Sequence, residues 1–364
     1  MNDETTRLVA DLLALSEHDA PSGDPEASAG AVGWLEARLQ QLDADVVRHE
    51  TPAGVVLDGR FGPSGGRPAL ILCHYDTVWP TGTARERPAR REGELIHGPG
   101  VFDMRAGIVA VLAAVELAAP LERPLRILLT PDEETGSRGS RDLITEAAQQ
   151  AAFVLVTEPP LEGGALKTAR KGWASYTLKV GGRAAHAGLE PEAGASAVDE
   201  LVDRLLEVRR LARPATGTTI NVGVIGGGSA ANVVADSAWA HVDVRAQTVT
   251  EQERVHSALT GLRPERARTS ISLETGVMRP PMERTPAIAS AFARAREIAA
   301  DLGIDLLEGT AGGASDGNLV APLGVPVLDG LGPEGGGAHA LDERVRIDSL
   351  LERRSLIAGL IASW

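Results

Sequence analysis

Residues 69–76 read Ala-Leu-Ile-Leu-Cys-His-Tyr-Asp, an apolar run that ends in a histidine and an acid. A run this short, without polar alternation, suits a strand buried on both faces of a parallel sheet. Its neighbours repeat the grammar. A helix is expected at about 106–119, a strand at 125–129, a helix near 138–150 and a strand at 153–156. Strands alternating with helices read as βαβ units on an open sheet. Upstream, residues 4–16 and 28–43 have apolar side chains at helical spacing around the turn Pro21-Ser22-Gly23-Asp24, and a weaker strand lies near 54–60.

From Lys167 the pattern changes to β-α-β-β-α-β. Strands are expected at 173–180, 219–225, 238–244 and 271–275, with helices at 193–211 and 251–262. That order is the ferredoxin-like split motif. Helix and strand alternation resumes after Pro280-Pro281, with a helix near 286–302, a strand at 325–328 and a last helix near 348–362. The expected fold class is therefore α/β, an open and mostly parallel sheet flanked by helices, interrupted by a smaller α+β domain. The expected domains are 1–166 and 277–364 for the large sheet and 167–276 for the insertion.

Composition narrows the function. The 364 residues carry 36 Lys and Arg against 50 Asp and Glu, a net charge of −14, which disfavours a nucleic-acid or anionic-membrane partner. A small substrate or a cation fits that sign better. No apolar run is long enough to span a membrane. The single cysteine, Cys73, cannot form an internal disulfide, and the acidic start MNDETTRLVADLL lacks a signal core, so a cytoplasmic location is expected. The glycine clusters lack both the Walker and the dinucleotide-binding spacing, which argues against a nucleotide.

Acids and histidines gather where open α/β sheets build their sites, at the carboxyl ends of parallel strands. His74 and Asp76 end one strand, Glu133-Glu134 follows another, Glu158 caps a third and His339 follows a fourth; Asp103 precedes a helix. Five side chains can serve two zinc ions if one carboxylate bridges. With His74, His339, Asp103, Glu134 and Glu158, three carboxylates face four positive charges, and one shared hydroxide neutralises the site. Cobalt or manganese could substitute. Asp76 lies two residues from His74 on an extended segment and can orient its imidazole. Glu133 is left outside the ligand set, as a general base on a metal-bridging water requires. Lys171 is read either as a partner for a substrate carboxylate or as an ordinary solvated cation. Gly312-Gly313, with Ser315-Asp316-Gly317, is read as shaping a pocket that substrate backbone approaches closely.

His-Tyr-Asp-Thr-Val-Trp-Pro at 74–80, Gly-Pro-Gly-Val-Phe-Asp-Met at 98–104, Asp-Glu-Glu-Thr-Gly-Ser at 132–137, Glu158-Pro159 and Gly-Gly-Gly-Ala-His at 335–339 resemble the M20 metallopeptidase family. That family includes glutamate carboxypeptidases, acetylornithine deacetylases, succinyl-diaminopimelate desuccinylases and aminoacylases. Asp-Thr-Val-Trp-Pro and Lys167-Thr-Ala-Arg-Lys-Gly172 look most like the glutamate carboxypeptidase branch. The resemblance implies a zinc-peptidase-like fold with an inserted dimerisation domain. It also implies His74 and Glu158 on one zinc, Glu134 and His339 on the other, Asp103 bridging, Glu133 as base and Asp76 behind His74. It further implies a cis peptide after Asp103, a His186 that reaches a partner subunit's site, and Asn232 and Arg245 as holders of a substrate carboxylate. Many relatives have Asp-Met-Lys-Gly where this chain has Asp103-Met104-Arg105-Ala106.

The expected activity is hydrolysis of an amide bond next to a free carboxylate, as in a carboxypeptidase or an N-acyl-amino-acid amidohydrolase acting on a small substrate, in a homodimer. The alternatives are a biosynthetic deacylase of the acetylornithine or succinyl-diaminopimelate type and a catalytically silent dimeric binding protein.

Overall fold

The computed structural model describes residues 3–363. Helices Asp3–Ser16 and Ala29–Gln41 open the chain. The principal strands follow as β1 (Asp45–Thr51), β2 (Gly54–Phe61), β3 (Ala69–His74), β4 (Leu125–Thr130), β5 (Phe153–Val156) and β6 (Leu166–Arg170). Next come β7 (Gly172–Gly181), β8 (Thr219–Gly227), β9 (Ser237–Ala246) and β10 (Ser270–Arg279). Last are β11 (Glu308–Ala311) and β12 (Val327–Asp329).

The large sheet has the order β1-β2-β4-β3-β5-β12-β6-β11. Its middle, β4-β3-β5-β12, is parallel throughout, whereas β1, β2 and β6 join antiparallel. Every residue of β3 and β5 is buried, as an apolar strand covered on both faces must be. Because these strands run the same way, the segments after β3, β4 and β5 emerge at one edge. Those segments bear His74-Tyr75-Asp76, Asp132-Glu133-Glu134 and Glu158.

Helix Ala106–Ala118 is nearly all apolar and is buried along most of its length. Gly107 permits its close approach to the sheet, since a Cβ there would stand 2.3 Å from the Thr157 carbonyl oxygen. The peptide between Asp103 and Met104, just before this helix, is cis. Met104 is buried, and its sulfur accepts the His74 amide at 3.1 Å. A small antiparallel sheet pairs Leu95–His97 with Arg90–Glu92 and with Arg344–Arg346, and Arg344–Arg346 with Gly335–Gly336. It brings residues 98–103 beside residues 337–343.

The chain divides into two compact units. One comprises residues 1–169, 284–311 and 315–364, the other Arg170–Glu283 with Gly312–Ala314. The second unit starts and ends later than the 167 and 276 expected, because Leu166–Arg170 is a strand of the large sheet and β10 runs on to Arg279. Its strand order is β8-β9-β7-β10, all antiparallel. Helices Ala197–Arg210 and Val249–Thr260 pack Leu201, Leu205, Val208, Val255 and Leu259 against Tyr176, Leu178, Val242 and Val244. Ser196 and Thr248 cap these helices by accepting the Asp199 and Glu251 amides.

In the large sheet, Asp58 of β2 is wholly buried and accepts two hydrogen bonds each from Arg126 and Arg60, at 2.8–3.2 Å. Burial pushes its carboxyl up, but the two guanidinium groups outweigh burial and hold it below the usual carboxylate range. A pKa depressed in the folded state stabilises above the unfolded value, near 4, and that stabilisation disappears as pH falls through the folded value. Asp58→Asn should therefore cost about 3 kcal/mol at pH 7, the lower part of the range for breaking a buried pair because Arg60 is half exposed. Urea titrations at pH 7 and at the lowest pH at which wild type still folds should show that penalty shrinking in acid.

Candidate metal centre

Two groups of ligating side chains meet at Asp103. His74, 2% exposed, points Nε2 at Asp103 Oδ1 (3.3 Å) and at Glu158 Oε1 (3.4 Å). His339 points Nε2 at Glu134 Oε1 (2.9 Å) and at Asp103 Oδ2 (3.5 Å). Asp103 thus offers one oxygen to each group. Its Oδ1 is buried and accepts no hydrogen bond among the described residues, as expected of an acceptor meant for a cation. Imidazole and carboxylate donors at this spacing suit divalent ions such as zinc.

The electrostatics lead the same way. Burial alone would lower the His74 pKa, but Asp103, Asp76 and Glu158 more than offset it and hold the imidazole well above its ordinary value. Asp103 and Glu134 lift His339 to about 10. Burial would raise Asp103, yet both histidines bring it down; at Glu134 burial prevails over the pull of His339. The cluster therefore holds protons wherever a cation does not neutralise it.

Buried carboxylates outside the two groups fix the loops. Asp76 Oδ1 and Oδ2 accept the amides of Glu133 (3.1 Å) and Glu134 (3.2 Å), and Ser22 donates to Oδ2 at 2.5 Å. Asp76 also fixes His74, chiefly by its main chain: the carbonyl oxygen lies 3.0 Å from Nδ1, while the carboxylate is 3.4 Å away. A carbonyl only accepts, so Nδ1 carries the proton and Nε2 is open to a metal. Asp132 takes the Gly139 amide and the Ser140 hydroxyl, and Asp316 takes the Ser137 hydroxyl. Glu133 is half buried on this turn, beside Glu134 and outside both ligating groups. Glu343 accepts the amides of Gly100, Phe102 and Asp103. Cys73 is buried against Thr157, and burial pushes its thiol up to about 12.

Sequence reading passed over Ser22 and Glu343. In the sequence Ser22 is part of the turn at 21–24, and Glu343 belongs to no motif. Only tertiary contacts reveal either one.

In the second unit the expected substrate residues separate into two places. His186 and Asn232 lie on adjoining exposed segments: His186 bridges to Val233, and the Ala187 amide donates to the Asn232 carbonyl at 2.9 Å. His186 Nδ1 accepts the amides of Gly188 and Leu189, so its proton sits on Nε2, a donor facing outward. Arg245 lies at the other end of the sheet, paired with Trp173, whereas the His186 and Asn232 segments lie beyond the Ser237–Gly181 pair. Eight residues at about 3.3 Å each put roughly 25 Å between those pairs. Lys171 precedes β7 at the Arg245 end. Arg245 donates Nε and Nη2 to Asp243 and lies 5.0 Å over Trp173. The Gly313 carbonyl accepts from Arg170 at 3.2 Å, and a Cβ at Gly312 or Gly313 would meet nothing within 4 Å.

Comparison with known proteins shows the family. Residues 70–363 match the model for peptidase family M20/M25/M40. The chain is 31% identical to carboxypeptidase G2 of Pseudomonas sp. (strain RS-16), over 99% of this chain and 89% of that protein. It is 29% identical to an acetylornithine deacetylase of Myxococcus xanthus, over 76% and 77%. Among solved structures, a tripeptidase from Staphylococcus aureus superposes with TM-score 0.81 at 22% identity, over 98% of both chains. An M20 metallo-carboxypeptidase from Sulfolobus solfataricus gives 0.74 at 16%, over 100% and 99%. With its fold, its clustered ligands and a match across most of its length, the chain belongs to the M20 family of metal-dependent peptidases, hydrolases of amide bonds.

Proposed function

We propose that this chain is a two-zinc carboxypeptidase or N-acyl-amino-acid amidohydrolase that cleaves an amide bond next to a free carboxylate. The observation that carries the reading is Asp103, whose two oxygens face two separate ligating groups while Glu133 stands on the adjoining turn. His74 and Glu158 would hold one ion, Glu134 and His339 the other, with Asp103 between them. Bound there, the ions would polarise the scissile carbonyl and acidify water. Glu133 takes the proton of the attacking water and returns it to the leaving nitrogen. Arg245, oriented by Asp243 and Trp173, has Nη1 to offer a substrate carboxylate. Lys171, at the same end of the sheet, adds positive charge, and open space before Gly313 admits substrate backbone. The match to carboxypeptidase G2 over nearly the whole chain supports the carboxypeptidase form of this reading.

We place His186 and Asn232 in the site of a second chain, in a homodimer. One small substrate cannot touch both ends of a single sheet, but it can touch opposite ends of two. Exposed Val198, Val202 and Leu206 on helix Ala197–Arg210, with Val224 and Ile225 on edge strand β8, supply an apolar surface for pairing.

A panel of N-acyl amino acids, dipeptides and folate-like conjugates, assayed with zinc, manganese and cobalt, tests the activity. Amidating the terminal carboxylate of the best substrate should abolish most of kcat/KM. Glu133→Gln should keep both metals and lose at least about 100-fold in kcat, whereas Glu134→Gln should lose a metal. Equal behaviour of the two variants would refute the roles assigned to the pair.

Because the clustered carboxylates hold His74 and His339 well above the usual imidazole range, and a metal requires neutral imidazoles, uptake should release at least about two protons. Affinity should weaken as pH falls. Calorimetry at pH 7.5 in two buffers of different ionisation enthalpy would count the protons, and a buffer-independent heat would contradict the expectation.

Mixing Glu133→Gln subunits with His186→Ala subunits, each nearly inactive alone, should restore one working site per heterodimer. Heterodimers confirmed by mass spectrometry yet as inactive as the single variants would show that His186 acts within its own chain.

A further inference from the structure

Glu343 has a place in this centre that its sequence context does not suggest. Its side chain is 1% exposed. Oε1 accepts the amides of Phe102 (3.0 Å) and Asp103 (3.1 Å), and Oε2 accepts the Gly100 amide (2.8 Å) and the Trp79 indole (3.2 Å). Four N–H donors converge on one carboxylate. The main chain of Glu343 adds two more ties, its carbonyl accepting Gly98 N and its amide donating to Ala340 O. Ala340 N in turn bonds Gly337 O, closing a compact turn around His339, whose own φ is +62°. Trp79, on the segment that follows His74, is fixed further by Arg87, stacked 4.3 Å over its ring.

One residue therefore ties together three segments that bear candidate ligands: the chain after His74, the loop that ends in Asp103 and the turn that holds His339. The buried Arg105 guanidinium lies near this loop, since a Cβ at Gly100 would come 3.4 Å from its Nε. Burial brings the Arg105 pKa down to about 10, and attraction to Glu343 works against that fall. The Arg105 side chain also reaches the Leu15 carbonyl, which anchors the assembly to the first helix.

We propose that Glu343 is the positioning residue of the metal centre: by gripping the Asp103 loop and anchoring the His339 turn, it sets the spacing of the shared aspartate and the second histidine. The assignment rests on the ligand roles proposed above. The need is for an acceptor-only group. Glutamine has the same shape, but its amide NH₂ would face two N–H donors in either orientation and orphan both.

The test compares wild type, Glu343→Gln, Glu343→Asp and Leu35→Ala, a core variant on helix Ala29–Gln41 chosen to lower the thermal midpoint at least as much. Zinc affinity is read by competition with a chromophoric chelator, and ligand geometry by the visible spectrum of the cobalt form. Glu343→Gln should weaken zinc binding about 10- to 100-fold, the usual range when a residue that orients ligands is lost, and should alter the cobalt spectrum. Glu343→Asp, which keeps the charge and both acceptor oxygens, should recover part of the affinity. Leu35→Ala should bind as wild type does. Zinc affinity and cobalt spectrum unchanged in Glu343→Gln, or a loss in Leu35→Ala as large as in Glu343→Gln, would overturn the proposal. If Glu343→Gln does not fold, Glu343→Asp decides, since wild-type affinity there would equally overturn it. A wild type that takes up fewer than two metals would instead refute the ligand assignment itself.

Discussion

The centre depends on one kind of interaction, the buried carboxylate that accepts backbone amides. Asp76 grips the amides of Glu133 and Glu134, Asp132 that of Gly139, and Glu343 those of Gly100, Phe102 and Asp103. Each bond joins a carboxylate to a main-chain donor in a site shielded from water, where such a bond is strengthened by the low local dielectric. Apart from His74, which ends β3, the candidate ligands come from segments beyond the strands, and loops left to themselves are mobile. A second ring of acids on neighbouring segments supplies the rigidity that the parallel strands beneath cannot extend past their own ends.

This arrangement concentrates negative charge. Asp103, Glu134 and Glu158 face the candidate metal positions while Asp76 and Glu343 stand behind them. Main-chain amides tie down the outer acids, and the inner ones face the two imidazoles. The outer acids are thus committed to the main chain, while the inner ones face the positions a cation could take.

Much of the architecture is legible in the sequence, because the middle of the large sheet announces itself. Ala69–Cys73, Leu125–Leu129 and Phe153–Val156 are short apolar runs between helices, and each is a strand. The four strands of the second unit, with their alternating burial, are equally readable. Asp45–Thr51 and Glu308–Ala311 show no strand pattern in the sequence, because an edge strand needs no apolar pattern to pair, and the interior strand Leu166–Arg170 is masked by its polar Lys167, Thr168 and Arg170. The residues that converge at Asp103 could be found, since acids and histidines after parallel strands stand out. Ser22 and Glu343 could not, since hydrogen bonds to remote amides leave no local pattern.

Cys73 adds a constraint on which metal the centre can hold. The thiol adjoins His74 in sequence, yet burial against Thr157 keeps it protonated, and every donor at the two positions is nitrogen or oxygen. Thiolate is what favours cadmium and monovalent copper over harder ions. With its one thiol protonated and sealed beneath the first histidine, the strand leaves the two positions to imidazole and carboxylate donors, a set that suits divalent ions such as zinc.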